Sequence, residues 1–128
     1  MNLRRMQRLW TLFESRLVTP PDHPPRMKVT PLIVPFVGHY LYGVERVEVV
    51  PWAWNQVVMH EFGHYYDDVM LVQFSPLGQE IMNVLKVSEW DHRAREKFAT
   101  ALGMIAHRPW RYRPTNAIHR LVRPLVKD

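Results

Sequence analysis

Residues 57–68 read Val-Val-Met-His-Glu-Phe-Gly-His-Tyr-Tyr-Asp-Asp, and this stretch decides how the rest of the chain is understood. His60 and His64 stand four residues apart. On an α-helix that spacing puts both imidazoles on one face, one turn from each other. Two imidazoles so placed can bind a single tetrahedral Zn²⁺. Glu61 follows the first histidine, where a carboxylate reaches a water on the open side of the metal and acts as general base. Apart from Glu61, no charged residue occurs from Val57 to Tyr66, so the helix is expected to be mostly buried. A buried helix with two histidines and a glutamate needs an explanation, and a bound metal supplies one. The plainer alternative is a pair of core histidines satisfied by ordinary hydrogen bonds. Gly63, between the two histidines, leaves room for another element to come close.

Around this segment the sequence predicts a small α+β domain. Pro51 suits a first-turn position, so the helix is expected over 52–70. Upstream, Leu3, Met6, Leu9, Trp10, Phe13 and Leu17 fall at helical spacing, which predicts an amphipathic helix over 1–18. Four prolines between Thr19 and Pro25 end it and predict an extended linker. His23, among them, is expected to be an exposed loop residue. Residues 26–50 are β-like. Met27–Val29, Leu32–Val34 and the alternating run from Gly38 to Val50 predict three or four short strands in a small antiparallel or mixed sheet packed on the 52–70 helix. Gln73–Gly78 reads as a loop broken by Pro76 and Gly78, with a short helix or irregular insertion over 77–87. Ser88-Glu89-Trp90-Asp91 resembles a capping box opening a second long helix that stops before Pro109. Another short helix is expected over 117–122.

The 128 residues suit a single domain, 1–128, with a core over 26–109 and a basic tail over 110–128. No apolar run is long enough for a membrane span, and a secretory leader is not expected. Cysteine is absent, so any metal must be held by His, Asp or Glu, and the chain is expected in the cytoplasm. The net charge of +5 is uneven. Residues 93–128 carry nine Lys or Arg against two acids, whereas 51–92 carry one Lys against six acids. The basic end would favour an acidic partner or a nucleic-acid backbone, and Trp110 and Tyr112 between arginines could stack on bases. No recognised nucleic-acid motif accompanies them. A basic binding module with a structural or vestigial zinc is therefore the alternative function, while a membrane partner is not expected.

A hydrolytic zinc site needs a third protein ligand. The second long helix offers Glu89, Asp91, His92 and Glu96, and imidazole and carboxylate both bind zinc. Ala99 and Gly103 share the face of Glu96 and would let this helix pack tightly against the HEFGH helix, which favours Glu96, with His92 one turn away. Tyr65, Tyr66, Tyr112, His107 and His119 are candidate groups for stabilising an oxyanion. Asp67 and Asp68 could orient a ligand histidine or end the helix in solvent. His39 has no evident partner.

HEFGH with a downstream glutamate on another helix is the gluzincin arrangement. More narrowly, EKFATALGMIAHRP, residues 96–109, resembles the third-ligand helix of the ImmA/IrrE-like metallopeptidases. That helix typically reads Glu-x-x-Ala-Asn-x-Phe-Ala with a later Pro. Glu96, Ala99 and Pro109 match it, while Thr100, Leu102 and Gly103 replace Asn, Phe and Ala. The resemblance covers about residues 40–109. It implies a small zincin core, with His60, His64 and Glu96 as zinc ligands and Glu61 as catalytic base. It further implies hydrolysis of a peptide bond in a protein or peptide, often a regulatory protein, and a phage, mobile-element or stress-response setting. This chain would be a minimal version without the DNA-binding domain that members often carry.

Overall fold

The apolar stripe near the start of the chain forms α1, Leu3–Arg16, capped by the Asn2 side chain, which accepts a hydrogen bond from the Arg5 amide at 2.8 Å. Met6, Leu9, Trp10 and Phe13 are its buried residues. Trp10 meets Phe62 and Tyr65 edge-on at 5.2 and 5.6 Å between ring centroids, a favourable aromatic geometry. The computed structural model describes residues 1–31 and 35–128.

Three strands follow: β1, Arg26–Val29; β2, Gly38–Leu41; and β3, Arg46–Val49. They form one sheet in the order β1-β3-β2. β2 and β3 are an antiparallel pair, but β1 runs parallel to β3. The sheet is therefore mixed, and the purely antiparallel alternative is corrected. β2 runs opposite to β1, and β3 runs opposite to β2, so the two reversals leave β1 and β3 pointing the same way. β3 takes the central position because Val47, Glu48 and Val49 are all buried there. The expected strand at Leu32–Val34 lies outside the described residues.

The long helix α2 spans Asn55–Val69. It starts later than expected. Trp54 is extended (φ −81°, ψ 160°), and the Ala53 amide bonds the Val50 carbonyl at 3.1 Å, so Pro51 sits in a turn before the helix rather than in its first turn. α3 spans Pro76–Leu85 and corrects the loop expected at 73–78. Ser75 caps it through the Gly78 amide at 3.1 Å, and Pro76 occupies its first turn. Ser-Pro is a start signal, because proline has no amide to leave unsatisfied there. α4 spans His92–His107. Its cap is Asp91, whose carboxylate accepts from the Ala94 amide at 2.9 Å; Ser88 is not the cap, which corrects that part of the expectation. α5, Ala117–Val122, completes five α-helices among the described residues.

The outcome is a small α+β domain in which the mixed sheet packs against α2. The core runs between α1, α2, α4 and the sheet, with Phe13, Phe62, Tyr65, Phe98 and Leu102 fully buried. Each such side chain contributes about 1.5–3 kcal/mol on leaving water. The Pro-rich segment lies against this body: Pro21 and Pro25 are buried, and the His23 carbonyl accepts the Tyr65 hydroxyl at 2.6 Å. The basic C-terminal segment is folded too, with Ile118, His119, Val122 and Val126 buried and Val126 bridging to Leu17. Among the described residues no helix is long and apolar enough to cross a membrane.

Candidate metal centre

α2 and α4 cross with their backbones almost touching. A Cβ added to Gly63 would lie 2.7 Å from the Ala99 carbonyl oxygen, and one added to Gly103 would lie 2.7 Å from that of Met59. Those distances are shorter than non-bonded contacts allow, so only glycine fits at either position. The close crossing brings one face of α4 over the histidine face of α2.

Three side chains converge there. The Nε2 atoms of His60 and His64 are 3.1 Å apart. The Glu96 carboxylate lies against both, with Oε2 3.0 Å from His60 Nε2 and Oε1 2.9 Å from His64 Nε2. One donor atom from each residue falls within 4.8 Å of the others, so the group could hold a metal ion. Imidazole nitrogen and carboxylate oxygen are both common donors to divalent metal ions.

The remote ring nitrogens are also engaged. Tyr42 Oη lies 3.0 Å from His64 Nδ1, and Thr100 Oγ1 lies 3.2 Å from His60 Nδ1. When Nε2 binds a metal, Nδ1 carries the proton and donates it to such an oxygen, which fixes both tautomer and ring orientation. Tyr42 is held in turn by Arg95, whose guanidinium sits 4.6 Å from the ring centroid. Sequence reasoning passed over Tyr42 and read Thr100 only as a replacement for Asn. A hydroxyl four residues after Glu96, on the same helical face, was the available signal for Thr100.

Burial sets the protonation states. Desolvation holds both imidazoles below the ordinary histidine range and so favours the neutral form that binds metals; for His64 the neighbouring His60 acts in the same direction. Glu61 is buried, and desolvation, reinforced by the charge of Glu96, pushes its carboxyl up to about 8. A cation among the three donors would act in the opposite direction. Glu61 is not part of the donor group. It lines, with His60, His64, Glu96 and Tyr42, a cavity of about 400 Å³.

The other candidates are placed elsewhere. His92 is exposed on the cavity rim, Asp91 is engaged as the α4 cap, and Glu89 is exposed. Asp67 accepts the indole N–H of Trp90 at 2.9 and 3.1 Å, and Asp68 accepts the Tyr40 hydroxyl at 2.6 Å. Tyr65 is turned to His23, Tyr66 stacks on Phe98, and His107 pairs with Gln56 at 3.1 Å. Tyr112 stacks on His119. His39 pairs with Glu48 across the β2–β3 ladder at 2.8 Å. No family model, curated protein or solved structure matches this chain.

Proposed function

We propose that this protein is a zinc-dependent metallopeptidase of the gluzincin kind, similar to the ImmA/IrrE-like family, that hydrolyses a peptide bond in a protein or peptide. The observation that carries the proposal is the convergence of His60 Nε2, His64 Nε2 and the Glu96 carboxylate beside a buried glutamate in one cavity. Metal-free, this arrangement holds two imidazole nitrogens 3.1 Å apart with His64 buried, at a cost that a cation would remove.

Held by these three residues, zinc would supply Lewis acidity, polarising a carbonyl and making water a stronger acid. The remaining work belongs to the chain. Glu61 accepts a proton as the water oxygen bonds to the carbonyl carbon. It then delivers that proton to the departing amine nitrogen as the carbon–nitrogen bond breaks. Its burial without a hydrogen-bond partner among the described residues suits a group that must gain and lose a proton near neutral pH. Tyr42 and Thr100 keep the imidazoles aimed at the same point.

The test is Glu61→Gln. The variant should keep about one zinc per chain, because Glu61 is not a donor, yet lose hydrolysis of a peptide library by roughly a thousandfold or more, the range expected for removal of a general base. Unchanged hydrolysis in Glu61→Gln would overturn the mechanism.

A further inference from the structure

A second cavity, about 560 Å³, adjoins the metal cavity and shares Glu96 and His92 as a common wall. Its chemistry differs from that of its neighbour. Arg93 and Lys97, one helical turn apart on α4, line it, and neither forms an ion pair among the described residues. Asn116 and His119 line it as well. His119 is buried, and its Nδ1 accepts the Arg113 main-chain N–H at 3.0 Å. Its proton is therefore on Nε2, which makes this nitrogen a hydrogen-bond donor. The lone acid of the lining is Glu96, which the metal site already claims. Leu85, Ala101 and Ile118 supply an apolar surface against which a methylene stem can rest.

Resting on the metallopeptidase reading, we infer that this cavity is a substrate subsite for a carboxylate side chain, so that cleavage favours Asp or Glu close to the scissile bond. Two cations without an ion pair among the described residues, with a buried imidazole in the same wall, match a carboxylate and disfavour a lysine or arginine side chain. The shared Glu96 wall places that recognition within a few residues of any peptide bond lying over the His60–His64 pair.

The test has two arms. In the first, the zinc-loaded protein digests a peptide library, and only cleavages absent from Glu61→Gln are scored. Asp and Glu should be enriched near the cleaved bond, and the double variant Arg93→Glu/Lys97→Glu should lower cleavage of acidic peptides roughly five- to tenfold, the scale of two exposed charge contacts. Zinc content and thermal midpoint of the double variant report that its fold is intact. Cleavage without acidic enrichment, or enrichment that survives the double variant, overturns the subsite.

In the second arm, zinc-loaded Glu61→Gln binds C-terminally amidated, fluorescein-labelled decapeptides that differ only in one central Glu or Gln. Tighter binding of the Glu peptide, abolished by adding the two charge reversals, supports the subsite even if no hydrolysis is found. Equal binding overturns it. A preference that appears only when the C-terminus is a free carboxylate also overturns it, because the group recognised is then the chain end. Failure of all Glu61-dependent hydrolysis, with the binding preference intact, removes the peptidase reading alone.

Discussion

Gly63 lies directly against the main chain of Ala99: a Cβ at residue 63 would sit 2.7 Å from the Ala99 carbonyl oxygen and 2.8 Å from its Cα. Backbone cannot rotate away as a side chain can, so Gly63→Ala must push α2 and α4 apart. The expected cost is about 1–3 kcal/mol of stability, as for other overpacked cores. Glu96 would withdraw from the histidines with its helix, so zinc affinity should also fall about tenfold or more. Denaturant unfolding and a competitive zinc titration measure the two effects. Wild-type values in both would mean that the helix spacing is set elsewhere.

Metal content separates Glu96 from its neighbours. His60→Ala, His64→Ala and Glu96→Ala should each lose most of the zinc uptake proposed for this centre, since each removes one of its three candidate donors. His92→Ala should keep it, because His92 stands outside the group. Elemental analysis after dialysis decides this, and zinc lost from His92→Ala but kept in Glu96→Ala would reverse the assignment.

Tyr42→Phe and Thr100→Val test the hydrogen bonds behind the two imidazoles. Each keeps the size of the side chain and deletes the oxygen facing an imidazole Nδ1. Zinc affinity should drop about 10- to 100-fold in either variant while saturating zinc still gives the wild-type stoichiometry. A competition assay against a chelator reads the change, and affinity within about twofold of wild type would show that these contacts orient nothing.

Asp67 gives a pH dependence. Burial pushes its carboxyl from an ordinary 3.8 to about 6, against the opposing pull of the Trp90 N–H and the Arg95 charge. Between those values the folded state holds a proton that the unfolded chain has released, so this group's contribution to stability falls as pH rises. Above about pH 6 the buried charge exerts its full cost. Asp67→Asn carries no charge and can still accept the Trp90 N–H, so it should be more stable than wild type near pH 8, by on the order of 1–3 kcal/mol, and no more stable near pH 4. Urea unfolding at the two pH values checks it. A variant equally destabilised at both would point to the hydrogen bond rather than the charge.

The pairing of His60 with His64 was legible from the sequence alone, since a four-residue step on a helix is local geometry that no distant contact can alter. The same holds for the apolar stripe of α1, and the small-residue pattern at Gly63, Ala99 and Gly103 already signalled a close crossing. Other features have long-range causes. That Glu96 rather than His92 meets the histidines depends on the rotation of α4 about its axis, which backbone contacts at Ala99 and Gly103 decide. Tyr42 reaches His64 because the β2–β3 turn folds over α2, a contact spanning 22 residues that no spacing rule encodes. β1 runs parallel to β3 because β2 is antiparallel to both, a pairing between segments twenty residues apart that local periodicity does not encode. Short-range periodicity thus determined which residues face together on one helix. Which helix faces, turns and strands meet was decided by close packing between segments far apart in sequence.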